Sequence, residues 1–184
     1  INVIKFNAGT GVVDNISVKL ADADRSVNNK GLIVNGTVTR SPVATGADLV
    51  AYSGFSASNY LEQPYNSDLD FGTGDFSVMG WVKTTVDGAL LLRETTFNGG
   101  DGFGMYITSG QIAIMCGSAA MTTDGKSYKD GTWKQVALLR RSGVAYVYVN
   151  GSQIYSVARA DSVTDVTATV RLGLDHAGTR DLTT

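Results

Sequence analysis

The sequence predicts an all-β fold, an antiparallel two-sheet sandwich or jelly roll with little or no helix, and three observations predict it. Apolar and polar residues alternate with a period of two along most of the chain, the pattern of half-buried strands. Twenty-two glycines and dipeptides such as Asn150-Gly151 cut that pattern into short runs. The acidic residues are 15 Asp against only 2 Glu, Glu62 and Glu94, and Asp favours turns where Glu favours helices. No stretch carries a helical period; in the nearest, 17–24, Val18 and Leu20 are spaced by two.

Taken in order, residues 2–6 form a short candidate strand followed by the flexible Asn7-Ala8-Gly9-Thr10-Gly11. Residues 1–13 therefore read as a strand or linker from a preceding region, and 14–184 as the domain proper. Runs at 30–34, 49–55 and 60–63 are short and rich in Val, Ile, Leu and Tyr. In 76–83, Phe76, Val78, Gly80 and Val82 share one side, and Ser77, Met79, Trp81 and Lys83 the other. After a run at 89–93, Ser109-Gly110 joins 103–108 to 111–116, and Arg141-Ser142-Gly143 joins 133–140 to 144–149. Asn150-Gly151 joins that strand to 153–158; both central residues of a type I′ turn need positive φ, which this pair supplies. The second half reads as a meander with a last strand at 169–174. Trp81 and Trp133, on separate strands, are expected to fill the core between the sheets. Met79, Met105, Met115 and Met121 read as core filler, and Cys116 as a buried small hydrophobe.

Composition excludes several classes. The net charge of −2 gives no basic field to neutralise phosphates, which excludes a strongly basic nucleic-acid binder. One cysteine excludes an intrachain disulfide framework, and 43% hydrophobic content excludes disorder. No run of eighteen apolar residues exists to cross a membrane, so no membrane insertion is expected. The first residue is Ile, so the chain is expected to be processed or excised from something longer.

Three segments carry a family likeness. Leu69-Asp70-Phe71-Gly72-Thr73-Gly74-Asp75-Phe76 runs on to Trp81-Val82-Lys83; Asp130-Gly131-Thr132-Trp133 precedes Lys134-Gln135-Val136-Ala137; and Ala145-Tyr146-Val147-Tyr148-Val149 precedes Asn150-Gly151. In order and spacing they resemble the laminin-G-like, concanavalin-A-like lectin-glucanase jelly-roll domain, with Lys134 and Asn150 standing where that family commonly has His and Asp. The segments 22–37 and 53–61 resemble the versions of this domain in bacteriophage tail-fibre and other virion proteins. The resemblance also implies a closing strand after 172–175, which the chain is expected to lack.

Glucanases resembling this fold place two carboxylates about 5 Å apart with an E-x-D-x-x-E strand. Glu62 and Glu94 have no such spacing, and His176 is the sole histidine, with no G-x-S-x-G elbow beside it. Asp22/Asp24 and Asp68/Asp70 read as solvated turn residues. No cofactor is required, and calcium is the one candidate: lectin-like rims bind it with loop carboxylates, here Asp175 and Asp181, although no D-x-D-x-D-G loop occurs. Among eight tyrosines, Tyr65 and Tyr128 sit in loop contexts suited to stacking on sugars. With Asp101 and Asp175 they are the candidate binding residues.

The expected function is a non-enzymatic structural or adhesion domain of a bacteriophage tail fibre or similar appendage, presenting loops to bacterial-surface glycan or to other virion proteins. The alternative is a carbohydrate-binding module of a secreted bacterial enzyme. By the same resemblance the location is the virion, otherwise extracellular, and the assembly a homo-oligomer such as a trimer.

Overall fold

Thirteen strands and one three-residue 3-10 turn make up residues 31–97 and 99–182, which are those described in a computed structural model of the protein. All of them but Gly31 belong to a unit spanning Leu32–Thr184. The expected strand at 2–6, the boundary before residue 14 and the stretch 17–24 lie outside the described residues.

Every strand pairing among the described residues is antiparallel; short connections require this of neighbours consecutive in the chain, and the non-consecutive pairs follow the same sense. The larger sheet contains β1 (Ile33–Asn35), β4 (Tyr60–Gln63), β6 (Gly88–Glu94), β7 (Gly102–Thr108), β8 (Gln111–Gly117), β9 (Ala120–Thr122) and β13 (Thr169–Leu172), in the order β1-β4-β13-β6-β7-β8-β9. The smaller contains β5 (Phe76–Val82), β10 (Lys134–Arg141), β11 (Val144–Val149) and β12 (Ser152–Ala158), ordered β12-β11-β10-β5. A separate hairpin pairs β2 (Thr39–Pro42) with β3 (Val50–Ser53). This is the expected all-β jelly-roll sandwich.

The turns form as their sequences dictate. Asn150 and Gly151 have φ of 50° and 77°, the pair of positive values a type I′ hairpin needs, and Ser109-Gly110 and Ser142-Gly143 repeat the pattern. Asn150 also clips the turn to β10: its N–H donates to the Gln135 carbonyl and its side-chain oxygen accepts from the Gln135 N–H, both at 2.9 Å. Strands β2 and β9 have no counterpart in the sequence reading. Both are short, and β2 (Thr39-Arg40-Ser41-Pro42) is exposed throughout, so no alternating face marks it.

Alternation decides what enters the core. Phe103, Met105 and Ile107 of β7 and Ile112, Ile114 and Cys116 of β8 face Val136 and Leu138 of β10, Ala145, Val147 and Val149 of β11, and Phe76 of β5. The intervening residues of the larger sheet form a second cluster of Ala89, Leu92, Tyr106, Ala113 and Met115, with Phe97 edge-on to Tyr106 at 5.2 Å. Covered on both faces, β7 and β8 are buried almost continuously, unlike a half-exposed strand. Burial pushes the Cys116 thiol up, as befits a small hydrophobe rather than a nucleophile.

The expected core tryptophans are not in the core. Trp81 is 69% exposed and Trp133 39%. In β5 the inward set is Phe76, Val78 and Val82, which pack against the main core; Trp81, one residue out of step, points the other way with Met79, itself 65% exposed. Trp133 stands two residues before Gln135, the partner of Trp81 in the β5–β10 register, and so shares that outer side.

Two buried arginines replace the indoles as the large polar-tipped side chains of the interior. Arg140 donates to the carbonyls of Gly72, Gly74 and Asp161, and its guanidinium lies 4.9 Å from the Phe76 ring centroid. Arg93 donates to the carbonyls of Val163 and Asp165 and pairs with the Asp70 carboxylate. Together they tie the turns at 70–75 and 161–165 to the sheets, satisfying carbonyls that burial would otherwise orphan.

Candidate binding groove

A groove of about 670 Å³ runs along the β5 side of the sandwich. Its lining draws on the β2–β3 hairpin (Val43, Leu49, Tyr52), on the outer residues Met79, Trp81 and Trp133, and on residues between the sheets such as Leu61, Leu91 and Met105. The geometry follows from unequal sheets: among the described residues, β5 is the last strand of the smaller sheet, while β1, β4 and β13 extend the larger one beyond β6. One wall depends on a glycine. Gly173 (φ 83°) lies so close to the Phe55 ring that a Cβ there would collide with it, so no other residue lets Phe55 rest on the end of β13.

Val43, Leu49, Tyr52, Met79, Trp81 and Trp133 are all exposed and all line this groove, which gathers more than half of the exposed large hydrophobic side chains among the described residues. Burying a large apolar side chain is worth roughly 2 kcal/mol, so leaving this many in water at one place marks an interaction site rather than the scatter normal on a surface. The volume is that of a small-ligand site.

The polar surroundings are quiet. At the groove's lower end the Gly131 N–H donates to the Thr84 carbonyl and sets the turn before Trp133. In that turn Asp130 is held well below the usual carboxylate range by hydrogen bonds from Lys134 and from Thr132. Lys134, where the family commonly has His, is thus spent locking the turn.

The residues singled out from sequence are not brought together. The Tyr65 hydroxyl donates to Asp70 at 2.7 Å, which raises the phenol's pKa, and Asp70 leads to Arg93 near the end of β6. The Tyr128 phenol is raised by burial and by its 2.7 Å bond to Asp124; its backbone N–H bonds Gly110, whose own N–H bonds Asp87 before the start of β6. The two tyrosines therefore belong to opposite ends of β6, and Tyr128 packs against the core. Asp101 is exposed in the loop before β7.

Asp175 is fully buried. Its oxygens accept from the backbone N–H groups of Thr179 and Arg180 (2.7 and 3.1 Å), the Thr179 hydroxyl (2.8 Å) and the Arg180 guanidinium (3.0 Å). Burial works to raise its pKa, but these donors more than offset it and hold the carboxyl below its ordinary range. Asp175 is a loop clasp, and as a surface binding residue the expectation for it is corrected: its lone pairs are already used. Among the described residues no group of three or more His, Cys, Asp or Glu side chains converges to hold a metal ion.

Two antiparallel sheets packed face to face, with an apolar groove at their edge, define a jelly-roll sandwich of the lectin and glucanase type. The chain belongs to the concanavalin A-like lectin/glucanases superfamily, whose Laminin_G_3 family model matches residues 55–183. Solved structures of similar fold include domain 4 of AbnA, an extracellular arabinanase from Geobacillus stearothermophilus, in complex with arabinotriose (TM-score 0.62, 18% identity, covering 84% of this chain and 79% of that one). Another is domains LG4-5 of the mouse laminin alpha1 chain (TM-score 0.50, 17% identity, covering 76% of this chain and 40% of that one). Among curated proteins no match to the sequence is found.

Proposed function

We propose that this is a non-enzymatic carbohydrate-binding domain in which Trp81 and Trp133 stack on sugar rings at the mouth of the β5 groove. The observation that carries the reading is the exposure of these two indoles at one apolar groove. Aromatic faces bind the apolar faces of sugars while hydroxyls stay hydrated, and an apolar groove of this size has room for sugar rings. The AbnA domain that shares the fold is in complex with arabinotriose, which agrees with this use of the scaffold.

The likeness of 22–37 and 53–61 to virion proteins favours a bacteriophage tail fibre or similar appendage as the home of the domain, with bacterial-surface glycan as the partner and the virion as its location. Neighbouring virion proteins and further copies of the chain would complete the appendage. A module of a secreted bacterial enzyme is the second reading, favoured by the setting of the AbnA domain within an arabinanase.

The chain has only two tryptophans, and both line the groove, so its indole fluorescence reports on the groove alone. Titration with oligosaccharides from bacterial envelopes should give a saturable change in intensity or wavelength that the Trp81→Ala variant loses. No response from the native protein across a broad glycan panel would overturn the assignment.

A further inference from the structure

The groove contains one charged side chain among its lining residues, Lys83. It follows Trp81 by two residues on the outer side of β5, and continuing the register of the β5–β10 pair sets it across from Trp133. Met79, Trp81, Lys83 and Trp133 thus form one exposed surface with a single cation beside two indoles.

That cation is unlike the other described lysines. Lys126 pairs with Asp124 at 3.8 Å, Lys129 with Asp87 at 3.1 Å and Lys134 with Asp130 at 2.7 Å. Lys83 has no acidic partner among the described residues. Asp130, in the turn before Trp133, is no substitute, because Lys134 contacts both of its carboxylate oxygens. In a chain of net charge −2, the groove therefore presents an isolated positive charge at the end of an aromatic platform.

Resting on the glycan reading above, we infer that the groove selects an acidic glycan, one whose sugar units bear carboxylates, and that Lys83 is the residue that determines this specificity. The rings stack on Trp81 and Trp133 while the Lys83 ammonium pairs with a ring carboxylate. A neutral glycan uses the platform but leaves the cation without a partner. Because the pair is exposed, its contribution is that of a surface ion pair, about fivefold in affinity at low salt and less as salt is added.

The test uses tryptophan fluorescence with two matched probes, an oligogalacturonate and the same oligomer after its carboxyl groups are reduced to alcohols. The native protein should bind the acidic oligomer about fivefold more tightly than the reduced one, with the ratio shrinking as salt rises. Lys83→Met should bring the ratio near one and Lys83→Arg should keep it. Lys126→Met, which removes the same charge outside the groove, should also keep it. Equal binding of the two oligomers by the native protein, or an unchanged ratio in Lys83→Met, overturns the inference and leaves a neutral-glycan site standing. No fluorescence response to either oligomer overturns this inference, whereas the glycan reading falls only if the broad panel is silent as well.

Discussion

Aromatic rings and cations meet in two regions of this molecule, and the two are built to opposite ends. In the interior Phe71, Phe76 and Phe103 lie 5.0–5.4 Å from one another, with Arg140 over Phe76 and Arg93 over Phe103, and both guanidiniums are bound to backbone carbonyls. At the groove Trp81 and Trp133 face water beside Lys83, with no ring stacked on either and no acid on the cation among the described residues. The first set of groups finds its partners within the chain and holds the fold together. The second has the same chemistry without partners among the described residues, and the ligand proposed above would supply them.

The strongest way to break this comparison is at Arg140. Arg140→Met keeps much of the apolar stem but leaves the carbonyls of Gly72, Gly74 and Asp161 without their donor in a buried site. Chemical denaturation should show a loss of about 3 kcal/mol, the cost of stranded buried acceptors. A loss below about 1 kcal/mol would mean the guanidinium is no more integral than a surface cation.

Trp81→Ala is the converse. An exposed indole contributes little to the fold, so stability should stay within about 0.5 kcal/mol of the native protein. Glycan affinity should fall about tenfold or more, the range of an aromatic anchor at a binding surface. If instead stability collapses and affinity survives, the two regions do not divide as drawn.

A buried charge without full compensation gives a third, smaller effect. Glu94 is buried, its Oε1 accepts only a 3.4 Å bond from the His176 N–H, and its Oε2 has no partner. Burial pushes its pKa above the ordinary 4.5 and the nearby Asp175 adds to this, while the His176 N–H, Arg180 and Arg171 act against it. A carboxyl whose pKa is raised on folding contributes stability that is present below its unfolded pKa and lost as pH rises through the folded one. Glu94→Gln should therefore be more stable than the native protein at pH 7, by about 1 kcal/mol, and the difference should vanish near pH 4. Thermal denaturation at the two pH values checks it; equal stability at pH 7 would show that Arg171 and Arg180 suffice.

The sequence carries the strands and turns well because local chemistry sets both: alternation marks the faces of β5, β7 and β8, and positive φ at Asn150 and Gly151 follows from residue type. It does not say which face of β5 is inward, since Phe76/Val78/Val82 and Met79/Trp81 are both apolar sets. Large rings bias the reading towards burial, yet the interior is filled by Phe103, Phe76 and the stems of two arginines. Tyr65, Tyr128 and Asp175 look available in sequence because their partners, Asp70, Asp124 and the Thr179-Arg180 clasp, are recognisable only once the chain is folded. The signal that could have found the groove was the pairing of Trp81, Lys83 and Trp133 across one strand pair, visible from the β5–β10 register but not from either strand alone.

The finest test asks whether the groove's platform depends on that register or on the turn that trims it. Gln135 lies opposite Trp81 and is also the residue Asn150 grips. Asn150→Gly keeps the positive φ at no steric cost and removes only the bond from the Gln135 N–H to the Asn150 side chain, so it should cost about 0.5 kcal/mol. Asn150→Ala loses the same bond and also the short polar side chain that lets Asn adopt the left-handed region, where a plain Cβ is strained, and should cost about 1–2 kcal/mol. If β5–β10 pairing alone orients Trp81, glycan affinity in Asn150→Gly stays within about twofold of native, within the span of a single weak interaction. A larger loss at unchanged folding would make the hairpin turn a third support of the binding surface, coupled to the indole through Gln135.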